Sequence, residues 1–289
     1  MNELDVAEVE LIVRTALAED LGSPPHDVTS EATIPAEQVD TAELVARADG
    51  VVAGLPVAAV VFNDTSGRTD TFDQRVGEGD RVSRGDVLAV ITGPTRALLT
   101  AERTALNLLS RMSGVATHTR RWADALEGTG ALVLDTRKTT PGLRALEKYA
   151  VRCGGGTNKR MGLYDVAMVK DNHVVAAGSV AAAVHAVRTR YPDVTIQVEA
   201  DTLDQALEAV AAGARFLLLD NMPTPLLAQV VAAVRAVDAG VELEATGNLT
   251  LDRAREVAST GVDYLSVGGL THSSPILDLA LDLEPLQRA

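Results

Sequence analysis

Hydrophobic and polar residues alternate with a helical period at the start of the chain. Within residues 4–20, apolar residues and acidic residues each recur at helical spacing, which predicts an amphipathic helix. Residues 41–91 instead carry short β-rich runs, AELVARADGVVAG and RVGEGDRVSRGDVLAVI, separated by glycines and turn residues. A long helix without internal proline is predicted over about 96–126. The first part of the chain therefore predicts a mixed α/β structure.

From residue 131 onward, apolar strands alternate with helices. The predicted strands are 131–136, 166–170, 195–200, 215–220, 241–245 and 263–268. The predicted helices between the later strands are 178–190, 203–212, 224–238 and 250–260. This alternation is typical of parallel strands that are joined by right-handed crossovers. We expect a closed or partly open α/β barrel, with a doubly wound sheet as the alternative.

The predicted strands end on residues that can bind or react. These strand-end residues are Asp135, Lys170, Glu199, Asp220, Glu244 and Gly268. In α/β barrels the loops at the carboxyl ends of the strands converge on one mouth and carry the chemistry. A single charged residue can simply mark where a strand meets solvent, but a succession of such endings favours an active face.

The charge of the chain is unevenly distributed. Formal net charge is −14, which argues against binding nucleic acid as the main function, because affinity for a phosphate backbone depends on clustered cations. All four lysines nevertheless fall within residues 138–170, and residues 137–170 contain eight Lys and Arg against two acids. This run is either a solvated basic face or a local cationic pocket, and a pocket of this kind would hold a small, highly charged anion.

Nothing in the sequence indicates a membrane or a disulfide. No apolar run has the length of a membrane-spanning helix, and the acidic first residues do not resemble a secretory signal. Cys153 is the only cysteine, so no disulfide can form within one chain. We therefore expect a cytoplasmic protein that has no membrane partner.

The candidate chemistry is that of anion binding. The candidate cations are Arg103, Arg137, Lys138, Lys159, Arg160 and Lys170. Arginine and lysine suit a ligand with several carboxylates or phosphates. The carboxylates of Glu199 and Asp220, and of Glu244 as a further candidate, suit either a magnesium ion or a ribose diol. Glycine-bearing loops at 246–248 and 268–270 suit a phosphate, so the set predicts a phosphorylated sugar beside a polyanionic acid.

Several longer motifs resemble one enzyme family. They are DVTSEATIPA (27–36), LLTAERTALNLLSRMSGVAT (98–117), DTRKTTPGLRALEKYAVRCGGGTNKRMGL (135–163), VKDNH (169–173), LLLDN (217–221) and GVDYLSVGGLTHS (261–273). Together they closely resemble quinolinate phosphoribosyltransferases, and they occur through nearly the whole chain in the expected order.

The resemblance implies the type II phosphoribosyltransferase fold, with an N-terminal α/β sandwich followed by an open α/β barrel. We expect the sandwich at 1–112 and the barrel at 113–272, with a C-terminal tail, 273–289, that returns to the sandwich. The family forms homodimers and sometimes homohexamers. In these, Arg103 would reach quinolinate in the neighbouring subunit.

The resemblance also implies a role for each candidate residue. Quinolinate would be bound by Arg103, Arg137, Lys159, Arg160 and Lys170. Phosphoribosyl pyrophosphate (PRPP) would be bound by Lys138, Glu199, Asp220, Thr246, Gly247, Gly268 and His272. Lys138, Glu199 and Asp220 would act in catalysis, and Glu199 and Asp220 would also hold Mg²⁺.

The chain departs from the family pattern at two of these positions. Lys159 stands where many members carry histidine, so a cation that titrates near neutrality is replaced by one expected to stay charged, and binding should depend less on pH near 7. The segment ATGN (245–248) replaces a serine followed by two glycines. Thr246 still offers a hydroxyl donor, but Asn248 changes the backbone requirement at its position.

The reaction implied by the resemblance is a decarboxylating pentosyl transfer, which makes the chain a glycosyltransferase. Quinolinate and PRPP would give nicotinate mononucleotide, carbon dioxide and pyrophosphate, a step of de novo NAD biosynthesis. Two alternatives remain at this point. One is a related phosphoribosyltransferase that acts on another acid, and the other is a non-catalytic anion-binding or assembly protein with the same fold.

Overall fold

The computed structural model describes residues 4–66 and 71–284, and the chain divides into two compact units. Unit 1 comprises Met1–Arg120, Thr139–Gly155 and Leu270–Ala289, and unit 2 comprises Arg121–Lys138 and Gly156–Gly269. The boundary expected between residues 112 and 113 falls inside a long helix and stays a prediction.

The described chain contains both helices and strands throughout its length. Up to the end of the long helix the elements are α1 (Val6–Leu21), α2 (Val28–Thr33), β1 (Val39–Ala46), β2 (Gly50–Val51), α3 (Leu55–Ser66), β3 (Thr71–Gln74), β4 (Arg81–Val82), β5 (Val87–Pro94) and α4 (Thr95–Leu126). They are followed by β6 (Leu132–Leu134), α5 (Arg144–Cys153), β7 (Val166–Val169), α6 (Asp171–Ala177), α7 (Val180–Arg190), β8 (Thr195–Ala200), α8 (Leu203–Ala211), β9 (Phe216–Asp220), α9 (Thr224–Val237), β10 (Glu242–Thr246), a 3₁₀ turn (Leu251–Arg253), α10 (Ala254–Ala258), β11 (Tyr264–Ser266), α11 (Gly269–His272) and β12 (Leu279–Leu283). No helix of the described ranges is both long and apolar enough to cross a bilayer.

Unit 1 is built on an antiparallel sheet with the strand order β12-β1-β5-β3. Leu44 and Ile91, on β1 and β5, are completely buried, while Glu43 pairs with Val90 on the less buried face. Strand β12 pairs with β1, so the C-terminal segment joins this sheet. That the whole tail, 273–289, returns to the N-terminal sandwich stays a prediction, because residues 285–289 lie outside the described residues.

Helix α3 was not assigned by the sequence pattern, which showed only β-rich runs on either side of it. A side chain from the loop before β4 provides its N-terminal hydrogen bonds. The carboxylate of Glu78 accepts hydrogen bonds from the backbone N–H groups of Gly54 at 2.7 Å and Leu55 at 2.9 Å. A carboxylate at a helix N-terminus also interacts favourably with the helix dipole. The helix buries Leu55, Val57, Ala58, Val61 and Phe62, but the half-buried Ala59 and Val60 are apolar as well, so the sequence lacks a clear amphipathic period.

Unit 2 contains a six-stranded parallel sheet with the strand order β6-β11-β10-β9-β8-β7. Strands β7 to β11 follow one another in sequence order, whereas a doubly wound sheet reverses direction part-way. Right-handed crossovers in a single direction put all the connecting helices on the same face of the sheet, as in a barrel. The end strands β6 and β7 do not pair with each other, so the barrel is open. The α/β fold class is confirmed, and the expected open barrel, rather than the doubly wound alternative, describes this topology.

The inner face of this sheet has an apolar base below a polar rim. Leu134, Phe216 and Leu218 form a buried cluster against which Met168 and Tyr264 pack. Side chains alternate along a strand, so residues two positions later share the same face. By this rule Lys170 follows Met168 and Asp220 follows Leu218 on the inner face. The polar strand ends predicted from sequence therefore lie at one rim of the barrel.

Candidate active site

Four of the predicted quinolinate-binding cations form a cluster in unit 2. They are Arg137 after β6, Lys159 and Arg160 in the loop before β7, and Lys170 at the end of β7. Burial, and then the charge of Arg137, lower the pKa of Arg160. Burial also lowers the pKa of Lys159, Glu244 opposes this shift, and the charges of Lys170 and Arg160 add to it. The cations are therefore close enough to repel one another, as expected of a pocket for a multiply charged anion.

Asp135 holds the loop that carries two of these cations. Its side chain is completely buried after β6, and its two oxygens accept hydrogen bonds from Asn158 Nδ2 at 2.6 Å and from the backbone N–H of Lys159 at 2.8 Å. A buried carboxylate needs such partners, because its desolvation is otherwise costly. Asp135 thus fixes the position of Lys159 relative to the strand ends.

Two cations of the cluster already have carboxylate partners within unit 2. Lys159 Nζ lies 2.5 Å from Glu244 Oε1, and both side chains are buried, with exposed fractions of 7% and 0%. Lys170 Nζ lies 2.7 Å from Glu199 Oε2, but the lysine there is 45% exposed. Glu244, one of the candidate metal or ribose ligands, therefore serves as the counter-charge of Lys159. Its second oxygen, Oε2, is buried and has no hydrogen-bond partner within the described residues.

Glu199 and Asp220 lie at the carboxyl ends of the neighbouring strands β8 and β9. Glu199 pairs with Leu218 in the ladder, and Asp220 follows two residues later on the same face. The described residues contain no group of three or more His, Cys, Asp or Glu that could enclose a metal ion. Magnesium in nucleotide and sugar-phosphate sites typically takes one or two carboxylates, with water and substrate oxygens completing its shell. The donor set of Glu199 and Asp220 fits that mode.

The glycine-bearing loops are also at the rim of the barrel. Thr246 ends β10, and Gly247 follows with a φ of +89°, which favours glycine. Gly268 follows β11. A cavity of about 230 Å³ lies at the ends of β9 and β10, and its lining includes Thr246, Gly247 and Asn248.

The remaining predicted residues are more exposed. Lys138 is exposed beyond β6, and its backbone N–H donates to Thr136 Oγ1 at 3.0 Å. Arg103 on α4 and His272 on α11 belong to unit 1, and both are exposed. His272 Nδ1 lies 2.6 Å from Ser273 Oγ.

Both parts of the chain match models of a single family. Residues 27–113 match the quinolinate phosphoribosyl transferase N-terminal domain, and residues 115–282 match the C-terminal domain of the same enzyme. The chain belongs to the quinolinate phosphoribosyltransferase family.

Individual family members are similar over nearly the full length. The nicotinate-nucleotide pyrophosphorylase [carboxylating] of Mycobacterium leprae is 49% identical, over 94% of this chain and 95% of that protein. A probable nicotinate-nucleotide pyrophosphorylase [carboxylating] from Bacillus subtilis is 40% identical, over 98% and 95%. Among solved structures, NadC from Streptococcus pyogenes is 37% identical with a TM-score of 0.92, covering 98% of this chain and 99% of that one.

Sequence reasoning about this family member misjudged one contributor to the site and missed another. Glu244 was grouped with the metal or ribose ligands, although it pairs with Lys159. Asn221 was given no site role and Asn248 was named only as part of the loop 246–248, yet both adopt a left-handed backbone conformation, with φ of +52° and +48°. Asparagine tolerates this region better than most residues, so an Asn directly after a strand end and an Asn directly after Gly247 were the available signals.

Proposed function

We propose that this chain transfers the phosphoribosyl group of PRPP to quinolinate, releasing carbon dioxide and pyrophosphate and forming nicotinate mononucleotide. The observation that carries this function is the cluster of Arg137, Lys159, Arg160 and Lys170 beside the carboxylates of Glu199 and Asp220, in a member of the quinolinate phosphoribosyltransferase family. Such an enzyme is a decarboxylating pentosyltransferase of NAD biosynthesis.

The cation cluster suits a dicarboxylate. Arg137 and Arg160 carry planar guanidinium groups that can each grip one carboxylate through two parallel hydrogen bonds. The ammonium group of Lys170 is half exposed and offers further donors. A monocarboxylate such as nicotinate would leave part of this positive charge unpaired, so the cluster favours quinolinate over nicotinate.

The transfer step replaces one bond at the anomeric carbon. The ring nitrogen of quinolinate forms a bond to this carbon, while the bond to pyrophosphate breaks and its electron pair leaves with pyrophosphate. Positive charge develops on the ribose ring, and Lys138 stabilises the departing anion. The ribose hydroxyls are held by Glu199 and Asp220. The protein contributes positioning and electrostatic stabilisation.

Decarboxylation follows from the charge created by this transfer. The ring nitrogen is now cationic, so the electron pair of the bond to the 2-carboxylate can remain on the adjacent ring carbon when carbon dioxide leaves. A proton from solvent then neutralises that carbon. Quinolinate that has not been ribosylated lacks the cationic nitrogen, so carbon dioxide release should require PRPP.

Magnesium is part of this proposal. Glu199 and Asp220 would hold the ion, with water and oxygens of PRPP as its other ligands. When bound, it neutralises charge on the pyrophosphate group. The 5′-phosphate would be held by Thr246, Gly247, Gly268 and His272, because glycine-bearing loops suit a phosphate and the Thr246 hydroxyl can donate a hydrogen bond.

The assembly and location are proposed on the family resemblance. The active form would be a homodimer or a homohexamer in which Arg103 contributes to quinolinate binding in a neighbouring subunit. The exposure of Arg103 on α4 is compatible with that role. A cytoplasmic location is consistent with the single cysteine, Cys153, which is a buried free thiol.

The proposed substrate is tested by comparing acids. Purified protein is incubated with PRPP, magnesium and either quinolinate or nicotinate, and both pyrophosphate and the mononucleotide are followed. The proposal predicts equal amounts of both products with quinolinate and neither with nicotinate. Pyrophosphate and a different nucleotide from another acid would indicate a related transferase, and failure to bind PRPP at all would indicate a non-catalytic member.

A further inference from the structure

Two asparagines connect a strand-end carboxylate to the loop after β10. Asn221 Nδ2 donates a hydrogen bond to Asp220 Oδ2 at 2.8 Å, and Asn248 Nδ2 donates to Asn221 Oδ1 at 3.0 Å. The backbone N–H of Asn221 also donates to the carbonyl of Thr246 at 2.9 Å. Two of these hydrogen bonds join the loop of residues 246–249, which we name the phosphate loop, to Asn221 at the end of β9, and the third joins Asn221 to Asp220.

The ionised carboxylate sets the direction of this hydrogen-bond chain. A carboxylate only accepts, so the amide of Asn221 must present its NH₂ group to Asp220. Its carbonyl oxygen then faces the other way and accepts from the NH₂ group of Asn248. Neither amide can be turned over without losing a hydrogen bond, so both side chains have one favoured orientation.

The backbone of the loop is adapted to the same arrangement. Asn221 and Asn248 have φ of +52° and +48°, and Gly247 between the two contacts has φ of +89°. A Cβ atom at residue 247 would lie 2.3 Å from Asn221 Oδ1 and 2.5 Å from its Cγ, so a side chain there would displace the amide of Asn221. Gly247 is thus required both by its backbone conformation and by the amide of Asn221.

Side-chain packing does not hold the phosphate loop on all sides. Gly247 and Asn248 line the cavity of about 230 Å³, together with Asn221 and apolar residues such as Leu227 and Val257. A loop that borders a cavity lacks packing contacts on that side. The hydrogen bonds to Asn221 therefore contribute more to the loop's position than they would over a filled core.

We propose that Asn221 is a positioning residue that fixes the distance between the ribose-binding carboxylate of Asp220 and the phosphate loop, acting on that loop through Asn248. The inference rests on the proposed function, in which these two groups bind opposite ends of the same phosphoribosyl unit. Holding them at a fixed separation before binding lowers the ordering cost that the substrate must otherwise meet.

A double-mutant cycle tests the bridge. Asn248→Gly and Asn221→Gly each remove one amide without straining the left-handed backbone. Asn248→Gly removes one exposed hydrogen bond and Asn221→Gly removes two, so each should raise KM for PRPP about threefold to tenfold, with the larger effect in Asn221→Gly, while KM for quinolinate and the melting temperature change little. The Asn221→Gly/Asn248→Gly variant should be no worse than Asn221→Gly alone. Independent, multiplying effects, or an unchanged KM in both single variants, would overturn the proposal.

A second comparison uses the contact with Gly247. Gly247→Ala should weaken PRPP binding strongly in the wild-type chain and less in an Asn221→Gly background, where the atoms it meets are absent. Equal losses of PRPP affinity in both backgrounds would contradict the predicted contact.

Binding of PRPP is measured by calorimetry, so both comparisons can be made even if the chain does not use quinolinate. Coupled PRPP binding without turnover would reject the proposed function and retain the bridge.

Discussion

Lys159 and Glu244 form a buried ion pair, with Nζ 2.5 Å from Oε1 and exposed fractions of 7% and 0%. The pair joins the loop before β7 to the middle of the parallel sheet. Burial disfavours the charged form of Lys159, and Glu244 opposes that effect. The carboxylate therefore keeps a cation at a position where a lone lysine would be costly.

Removing the carboxylate of this pair should destabilise the fold. In Glu244→Gln the ammonium of Lys159 stays buried without its counter-charge, and we expect a loss of about 3–5 kcal/mol in the free energy of unfolding. Urea unfolding followed by circular dichroism measures it. Glu199→Gln is the matched control, because its partner Lys170 is 45% exposed and the loss should be about 1 kcal/mol or less. Similar losses in the two variants would contradict this account of the pair.

The lowered pKa of Lys159 predicts an effect at alkaline pH. Its ammonium releases the proton below the ordinary value of 10.5, so attraction for quinolinate is present below the folded-state pKa and is lost as pH rises through it. In Lys159→Arg the guanidinium stays protonated, and the alkaline fall of kcat/KM for quinolinate should move to higher pH. If the pH profiles of the variant and the wild-type protein superimpose, Lys159 does not control the alkaline fall of kcat/KM.

Arg137 tests the role of the cation cluster in the reaction. Arg137→Ala should cost about 2–4 kcal/mol of transition-state stabilisation, or roughly 30- to 1000-fold in kcat/KM, by analogy with the loss of one oxyanion donor. Steady-state kinetics with quinolinate as the varied substrate gives this ratio. Arg121→Ala, which removes an exposed arginine of α4, should leave it unchanged. Wild-type turnover in Arg137→Ala would reject its assignment.

The proposed contribution of Arg103 to a neighbouring subunit predicts complementation. Arg103→Ala and Lys138→Ala homomers should both be nearly inactive. If the two residues of one site come from different subunits, mixed dimers contain one site without either substitution. Unfolding and refolding an equal mixture should then restore about a quarter of wild-type activity, from random pairing in a two-fold dimer. No recovery, with mixed dimers demonstrated by mass spectrometry, would indicate that both residues act within one subunit.

The order of the barrel elements could be predicted from sequence because it depends on local patterns. Each predicted strand from residue 131 onward overlaps an observed one, and the polar strand ends mark the inner rim. Helix α3 was missed because its run of apolar and β-branched residues has no helical period and resembles a buried strand. Its N-terminal partner Glu78 lies more than twenty residues downstream, as the 23- and 24-residue separations from Leu55 and Gly54 show.

The pairing of charges within the site could not be read from sequence. Lys159 and Glu244 are 85 residues apart, and Lys170 and Glu199 are 29 apart. Which carboxylate meets which cation depends on the strand register and on the loop that Asp135 holds. Residue type alone therefore grouped Glu244 with Glu199 and Asp220, although burial and its partner give it a different role.

The most direct test of the central claim measures whether pyrophosphate release and decarboxylation occur together. Quinolinate labelled in its 2-carboxylate is incubated with PRPP and magnesium, and labelled carbon dioxide and pyrophosphate are measured over the same time course. The account predicts equal amounts of both, with no carbon dioxide in the absence of PRPP and a parallel loss of both products in Arg137→Ala. Pyrophosphate release without labelled carbon dioxide would contradict it.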